Sequence, residues 1–458
     1  MRHRLLRHPL GRWVDPSDAW AALLAGEANS FWLDSGVDAT TGTSYLGSSS
    51  RVLAGADVLN RLRAELASVQ VEPSGDGFAL GWVGWLGYEV RAATMGEPVR
   101  ESRYPDAALM FVDRALAFDH GSGEVWLIAL ADDSGAWPAD TSAWRDKTIT
   151  TLSSSLPRWR ELSAGGGSSD SRHDDRSPSG SAPTPAAVSW RYSDDEYLGM
   201  IADCQRAISA GDAYQLCLTT EASVDVTPDP FTTYLALRAS SPTHHGGLVI
   251  VGDVALLSAS PEQFLAVSPD GLVSSSPIKG TRRRGDDAAD DESLRAELES
   301  SGKERAENLM IVDLMRNDIG RISEVGSVRV PRLLEVESYA HVHQLVSEVT
   351  GQLAPGLSAV DAVVACFPAG SMTGAPKLSA TRILDALEQR PRGIYAGAFG
   401  YFGLDGAVDL AMVIRSIVID PAGSTIGSGG GITALSVPAE ELEEVRLKAA
   451  ALLAVLGV

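Results

Sequence analysis

The chain has 458 residues and a formal net charge of −22, from 60 acidic residues against 38 lysines and arginines. A charge of this sign repels phosphate backbones, so we expect no nucleic-acid partner. The three cysteines lack the paired spacing of a disulfide framework or a thiolate zinc site, and no apolar run is long enough to span a membrane. We therefore expect a cytoplasmic protein that does not contact a membrane.

Aromatic and β-branched residues predict strands on both sides of a stretch at 163–189 that is rich in Gly, Ser, Pro and Asp. We interpret 163–189 as a flexible linker or surface loop between an N-terminal half, 1–162, and a C-terminal region, 190–458. The predicted strands are 78–90, 108–118 and 124–130 before this stretch, and 214–220, 247–252, 394–403 and 410–419 after it.

Residues 276–285 read SPIKGTRRRG, and their proline and glycines indicate an irregular segment whose backbone fixes the position of Lys279. A lysine held in this way can be an anchor or a reagent. From the stretch alone, a solvated loop lysine beside three arginines is the more common case.

Residues 303–318, KERAENLMIVDLMRND, have the spacing of an amphipathic helix. Glu304 and Glu307 are three residues apart and project from one face of that helix. The candidate buried positions are Leu309, Val312 and Met315.

Two further segments resemble anion-binding turns. FPAGSMTGAPKLSATRILDAL, at 367–387, begins as a glycine-containing turn and continues as a helix, with Pro376 suited to its first turn. Because the segment does not fit the phosphate-loop pattern, a carboxylate is a better candidate ligand than a nucleotide. GSGGGIT, at 427–433, can form an amide concavity, although a hairpin turn is its more common structure.

Arg415 stands in the otherwise apolar run LAMVIRSIVI, at 410–419, which predicts a buried strand. A guanidinium keeps its charge, so a buried arginine needs a fixed anionic partner, either in the protein or in a ligand.

Residues 438–458 predict a second amphipathic helix, on which Glu441, Glu444 and Lys448 share a face. Its candidate buried positions are Leu442, Val445, Ala449 and Leu452. Mg²⁺ favours one or two carboxylates together with waters and substrate oxygens, so two facing helices that each supply one glutamate suit a complex of Mg²⁺ with an acidic substrate. A solvated helix face is the ordinary alternative for each glutamate pair.

Together these segments resemble the chorismate-utilising enzymes, which include anthranilate, aminodeoxychorismate, isochorismate and salicylate synthases. The resemblance covers most of 190–458 and implies one large α/β (α+β) domain, with two antiparallel sheets packed face to face and helices outside. The N-terminal strands then form the other half of that domain. The blocks that carry the resemblance are GDAYQLCLT, SASPEQFL, SPIKGTRRRG, KERAENLMIVDLMRNDIGR, HVHQLVSEV, PAGSMTGAPK, YAGAFGYFG, VIRSI, GGGIT and EELEEVRLK.

The resemblance also implies roles for individual residues. Glu307 and Glu444 would bind Mg²⁺, with Glu304 and Glu441 in supporting positions, and Glu262 would face the reaction centre. The implied substrate-binding residues are Tyr395 and Arg415 at the enolpyruvyl group, Lys448 with Gly429, Gly430 and Gly431 at a carboxylate, and Thr281 and Gln215.

Two positions distinguish the branches of the family. Isochorismate and salicylate synthases have a lysine as the base for an attacking water where this chain has Gln215, so the resemblance disfavours hydration. Anthranilate synthases usually have PIAGT where this chain has PIKGT, which resembles the aminodeoxychorismate synthase branch. The resemblance therefore implies that Lys279 is a nucleophile that attacks C2 of chorismate and opens C4 to ammonia. The neighbouring arginines would favour its neutral amine if they point the same way.

The sequence departs from the family pattern at several places. Gln344 replaces the histidine of the anthranilate synthases, and His341 and His343 lie just upstream. Residues 31–36, FWLDSG, resemble a tryptophan-site block, but its companion is altered at 241–247. No cysteine lies in a glutaminase-type G-x-C-x-G turn. Ammonia would therefore come from a partner glutamine amidotransferase or from solution.

Three alternatives remain at this point. One is an anthranilate synthase component I, which aminates C2 and releases pyruvate. Another is amination without aromatisation, in an antibiotic pathway instead of the folate pathway. The third is a non-catalytic chorismate-binding regulator, against which the set Lys279, Glu307, Arg415 and Glu444 argues.

Overall fold

The aromatic and β-branched segments form two large sheets in the computed structural model, which describes residues 2–71, 77–132, 136–154, 187–339 and 342–458. The strands are β1 (Arg2–Pro9), β2 (Asn29–Asp34), β3 (Thr43–Ser48), β4 (Val52–Ala54), β5 (Gln70–Val71), β6 (Gly81–Leu86), β7 (Ala107–Val112), β8 (Arg114–Asp119), β9 (Glu124–Ala131), β10 (Val188–Trp190), β11 (Gln215–Val224), β12 (His245–Val251), β13 (Val254–Ser260), β14 (Gln263–Val267), β15 (Leu272–Ser275), β16 (Ile278–Arg283), β17 (Arg329–Ser338), β18 (Val342–Gln352), β19 (Gly374–Ala375), β20 (Ala398–Gly403), β21 (Val408–Met412), β22 (Ser416–Asp420) and β23 (Gly423–Ile432).

The first sheet has the order β10-β11-β23-β22-β13-β12-β2-β3-β8-β9-β1-β5, with β19 also paired to β11. The second has the order β16-β18-β15-β14-β21-β20-β6-β7-β4, with β17 also paired to β18. Apart from the parallel pair β1–β5, the pairings within the described residues are antiparallel. The predicted fold class, with two antiparallel sheets and helices, is confirmed.

Eleven α-helices lie within the described residues. They are α1 (Pro16–Leu23), α2 (Val58–Ser68), α3 (Arg91–Met95), α4 (Ala139–Ser153), α5 (Asp194–Ser209), α6 (Pro230–Ser240), α7 (Ala288–Ser300), α8 (Gly302–Gly320), α9 (Ala359–Cys366), α10 (Lys377–Glu388) and α11 (Pro438–Val455). In the part of the chain that the structure describes, none of them is both long and apolar enough to cross a membrane.

One apolar core lies between the two sheets. Phe31, Val249 and Leu256 of the first sheet belong to one buried cluster with Val83 and Phe399 of the second. Helices α1, α6 and α11 cover the outer face of the first sheet, while α2, α8 and α9 cover that of the second. Removal of these apolar surfaces from water is what favours two sheets over one open layer.

Both halves of the chain contribute to both sheets. Strand β2 pairs with β12, with Trp32 opposite Leu248, and β6 pairs with β20, with Trp82 opposite Phe402. The N-terminal half therefore shares its core with the C-terminal region. Of the predicted linker, 163–186 lies outside the described residues, and its last residues do not belong to a loop, because β10 begins at Val188.

Two predicted strands are each two strands in the structure. Residues 108–118 form β7 and β8, which are separated at Asp113, and 410–419 form β21 and β22. In the second case the break falls at Arg415, whose backbone has a left-handed φ of 50°. The apolar pattern continues through both breaks because the residues on either side remain buried.

Candidate active site

A cleft of about 700 Å³ lies where β16 of the second sheet approaches β23 of the first, and residues of α8 and α11 complete its walls. It brings together most of the residues singled out in the sequence. Those that line it are Glu262, Lys279, Thr281, Glu304, Glu307, Tyr395, Arg415, Gly429, Gly430, Gly431, Glu444 and Lys448. Gln215 and Glu441 do not line the cleft; they are buried against opposite faces of the glycine-rich strand segment at 427–431, here called the glycine wall.

The glycine wall is a strand and not the hairpin turn that its composition favours. Residues 427–431 lie in β23 and pair with β11 on one edge. The carbonyl of Gly429 accepts a hydrogen bond of 2.9 Å from Lys448 Nζ on the other edge. In an antiparallel strand the N–H of a residue points to the same edge as its carbonyl, so the amide of Gly429 also points away from β11.

Neighbouring side chains leave no space for larger residues in this strand. A Cβ at Gly427 would lie 2.0 Å from the ring of Tyr395, and a Cβ at Gly431 would lie 2.0 Å from Gln215 Nε2. The Oε1 atom of Gln215 is buried and has no hydrogen-bond partner among the described residues. Gly427 and Gly431 thus allow Tyr395 and Gln215 to pack directly against the backbone.

Arg415 lies in the turn between β21 and β22, and its side chain is accessible from the cleft. The expectation of a buried strand arginine is therefore wrong. Within the described residues the guanidinium makes no ion pair, and its electrostatic neighbours are Tyr395 and Glu444. A cation without a paired carboxylate is suited to an anionic ligand.

Lys279 lies on β16 opposite Leu345, at a β-bulge between Lys279 and Thr281. Gly280 has a φ of 78°, and a Cβ there would lie 3.0 Å from Glu304 Cγ. This bulge brings the strand against α8 and turns the half-buried Lys279 side chain into the cleft. Its amine makes no hydrogen bond or ion pair with any residue that the structure describes, although Glu262 and Glu307 lie within electrostatic reach.

The three arginines after Lys279 are each neutralised by an acidic partner. Within 282–284, Arg282 pairs with Glu297 at 2.7 Å and Arg284 with Asp291 at 2.7 Å. Arg283 pairs with Asp290 at 3.0 Å. The three arginines are therefore held by carboxylates and are not directed unpaired toward Lys279.

The glutamates come from two helices, as the spacing predicts. Ser301 caps α8, its hydroxyl accepting a hydrogen bond of 3.4 Å from the Glu304 N–H, and this first turn places Glu304 and Glu307 at the cleft. Burial raises the pKa of Glu307, an effect that Lys279 partly offsets. Leu309, a predicted core residue of this helix, is instead 49% exposed.

Helix α11 supplies Glu444 and Lys448, which form an ion pair of 2.7 Å. Burial alone would raise the pKa of Glu444, but Lys448, Lys303 and Lys279 together outweigh it and the pKa is lowered. Glu441 is turned inward and accepts a hydrogen bond of 2.7 Å from Ser436 Oγ.

Lys303, on α8, is a further cation beside these glutamates that was not expected from the sequence. Its spacing of four residues from Glu307 was the available signal, and four glutamates raise its pKa although burial opposes them.

Glu262 lies between β13 and β14 and projects into the cleft, where burial raises the pKa of its carboxyl. Lys279 and a hydrogen bond from Ser371 act in the opposite direction. A carboxyl with a raised pKa holds its proton to higher pH, which suits a proton donor.

The predicted anion-binding turn contributes through its first part only. Ser371 and Met372 line the cleft. Lys377, at the start of α10, instead forms an ion pair with Asp318 and donates a hydrogen bond of 2.7 Å to the carbonyl of Cys366. Ser371 and Met372 were not among the residues expected at the site, although the glycine of PAGSM indicates an irregular backbone there.

Of the two histidine candidates, only His343 lies within the described residues, and it does not line the cleft. His343 is buried beneath α7 and hydrogen-bonds Asp291 at 2.9 Å and Ser338 at 2.8 Å, while the adjacent Gln344 lines the cleft. This difference follows from the alternation of side chains along β18. His341 lies outside the described residues.

The block at 31–36 and the altered block at 241–247 meet at a separate cavity of about 400 Å³. Its lining includes Leu33, Asp34, Ser35, His244 and His245.

Comparison with known proteins identifies relatives of this arrangement. Residues 13–454 match the family described as chorismate binding enzyme. An aminodeoxychorismate synthase of Streptomyces pristinaespiralis is 44% identical over 406 residues, 87% of this chain and 54% of that protein. One of Streptomyces griseus is 46% identical over 379 residues, 83% of this chain and 50% of that protein. The chain thus spans about half the length of these curated relatives.

A solved structure gives the same fold. The crystal structure of anthranilate synthase component I from Streptococcus pneumoniae TIGR4 matches with a TM-score of 0.70 and 27% identity, covering 99% of this chain and 92% of that one. Since the family match runs through nearly the whole chain and includes every residue of the cleft, the chain belongs to the chorismate binding enzyme family.

Proposed function

We propose that this chain converts chorismate and ammonia into 4-amino-4-deoxychorismate, with Lys279 as a covalent nucleophile. The observation that carries the proposal is the Lys279 amine, which projects into the cleft without a partner among the described residues. Two relatives named aminodeoxychorismate synthase, at 44% and 46% identity, support this branch of the family.

The cleft has the charges that a dicarboxylate substrate needs. Arg415 and Lys448 lie on the side of Tyr395 and the glycine wall, and their cationic groups can accept the carboxylate of an enolpyruvyl side chain. Tyr395 provides an apolar ring beside that side chain. The same cleft is also lined by carboxylates, those of Glu262, Glu304, Glu307 and Glu444, so the cations are confined to particular parts of its wall.

Glu307 and Glu444 would hold Mg²⁺ at the ring carboxylate. Two carboxylates from facing helices fit the donor set that Mg²⁺ takes together with water and substrate oxygens. No group of three or more His, Cys, Asp or Glu residues close enough to hold a metal occurs among the described residues, so this ion would depend on the substrate for further ligands. When bound, Mg²⁺ supplies positive charge that neutralises the carboxylate.

The chemical step divides one displacement into two. The neutral amine of Lys279 forms a bond to C2, the ring double bonds shift, and the C4–O bond breaks. The leaving hydroxyl takes a proton from Glu262 and departs as water. Ammonia then forms a bond to C4, the C2–N bond breaks, and the lysine is released with its electron pair. Nitrogen therefore ends at C4, and the enolpyruvyl group is retained.

Ammonia has to come from outside this chain, from a glutamine amidotransferase partner or from solution. All three cysteines are buried and free, and burial raises the pKa of each thiol, to about 12 for Cys204 and Cys366. Such thiols are poor nucleophiles at neutral pH, whereas a glutaminase requires a reactive thiolate. Free cysteines also suit a cytoplasmic location.

The magnesium assignment predicts that Glu307→Gln and Glu444→Gln each lower turnover by about 100-fold or more, because even outer-shell partners of a metal are worth about 10–100-fold. Turnover of chorismate is measured while Mg²⁺ is titrated. Glu443→Gln is the matched control, since Glu443 is exposed on the same helix and does not line the cleft. Parental activity in both cleft variants would show that Glu307 and Glu444 do not form the magnesium site.

The nucleophile assignment predicts that Lys279→Ala lowers formation of the 4-amino product by about 1,000-fold or more. Any residual reaction shifts toward direct attack at C2, since the loop then reads PIAGT. Products are separated by chromatography with an added aminodeoxychorismate lyase, and anthranilate is followed by its fluorescence. Lys279→Arg distinguishes the roles, because arginine keeps the charge of an anchor but cannot attack. If Lys279→Arg or Lys279→Ala makes the 4-amino product at the parental rate, or if the parent itself releases anthranilate and pyruvate, the assignment is wrong.

The state of the cysteines predicts that the purified chain uses ammonium salts and does not use glutamine. Replacement of Cys204 and Cys366, which do not line the cleft, by alanine or serine is expected to leave ammonium-dependent turnover per folded molecule unchanged. Glutamine-dependent turnover by the purified chain would contradict this prediction.

A further inference from the structure

We propose that the side-chain amide of Asn308 is a positioning group that sets Lys279 relative to Glu307. This inference rests on the proposed function of the cleft. Asn308 does not line the cleft and is completely buried, as is its partner Ser347. It directly follows Glu307 on α8.

The amide nitrogen of Asn308 contacts the segment that leads into β16, the strand with Lys279, and the neighbouring strand β18. It donates to the carbonyl of Pro277 at 3.3 Å and to the carbonyl of Leu345 at 3.2 Å. Pro277 precedes Lys279 by two residues, and Leu345 is paired directly opposite Lys279. One amide group therefore joins the segment before the lysine, the residue opposite it and the helix that carries Glu307.

Ser347 fixes the other end of the amide. Its hydroxyl accepts a hydrogen bond of 2.9 Å from the Leu334 N–H and donates one of 2.6 Å to Asn308 Oδ1. Its own N–H donates to the Pro277 carbonyl at 3.2 Å. Because both carbonyls can only accept, the nitrogen of Asn308 must face them, and the hydroxyl completes the set of hydrogen bonds.

The need for this tether follows from the bulge. The ladder between β16 and β18 shifts register between Lys279 and Thr281, so regular pairing does not hold the backbone there. The Lys279 amine has no partner among the described residues that could fix it from its other end. The Asn308 amide is thus a fixed contact close to the bulge, and a nucleophile displaced by about 1 Å loses on the order of 100-fold in rate.

Asn308→Asp tests the proposal because it keeps the shape of the side chain but places an oxygen against two carbonyls. We expect kcat to fall on the order of 100-fold. The dissociation constant of chorismate, titrated with Mg²⁺ in a Lys279→Ala background in which no adduct can form, should change less than about threefold when Asn308→Asp is added, since the other binding groups are untouched. Ser347→Ala should lower kcat in the same direction, by about tenfold, and decides the question if Asn308→Asp does not fold.

Tyr234→Phe is the matched control. Its hydroxyl donates a buried hydrogen bond of 2.9 Å to Asp34 on the first sheet, outside the cleft, so its loss should lower thermal stability but leave kcat unchanged.

If Asn308→Asp and Ser347→Ala keep the parental kcat, or if they weaken chorismate binding in proportion to the loss of kcat/KM, the inference is overturned. Lys279→Ala, assayed alongside, tests the proposed function separately. If that variant still makes the 4-amino product at the parental rate, the proposed function fails, whereas an inactive Lys279→Ala beside fully active Asn308→Asp and Ser347→Ala overturns this inference alone.

Discussion

The buried ion pair between Arg392 and Glu388 holds the centre of the structure together. The guanidinium of Arg392 donates to both oxygens of Glu388, at 2.7 and 2.9 Å, and to the carbonyls of Met372 and Cys217. Glu388 also accepts from the N–H and the hydroxyl of Thr219, at 2.9 Å each. Breaking a buried pair by removing one partner costs about 3–5 kcal/mol, because the other charge is left unpaired. This pair is tolerated because its hydrogen-bonding groups are satisfied.

The pair determines where the walls of the cleft lie. It joins β11, the turn that contains Met372, the end of α10 and the segment that leads to Tyr395. With Tyr395 fixed, Gly427 has to be a glycine, since the ring occupies the place of a side chain. Glycine-rich β23 then presents its backbone to the cleft, and the charged groups come from α8, α11, β16 and the turn at Arg415. A rigid backbone wall combined with charges from separate elements is suited to orienting a small acid.

Features governed by local periodicity could be predicted from the sequence, as the two helices with Glu307 and Glu444 illustrate. Features governed by contacts distant in the sequence could not. The helical spacing places Glu441 on the same face as Glu444. Its side chain nevertheless turns inward, because it accepts a hydrogen bond from Ser436 and packs against the glycine wall. Arg415 sits in an apolar run that conceals a left-handed turn, since the residues on both sides remain buried. The arginines beyond Lys279 meet their acidic partners only once α7 packs beside β16.

Trapping the covalent intermediate tests the central claim most directly. The chain is mixed with chorismate and Mg²⁺ without ammonia, quenched, and examined by intact-protein and peptide mass spectrometry. If Lys279 is the nucleophile, the protein gains the mass of chorismate less one water, the added mass lies on the peptide with Lys279, and ammonium discharges it as 4-amino-4-deoxychorismate. Full formation of that product with no adduct, or with an adduct at a different residue, would exclude Lys279 from that role.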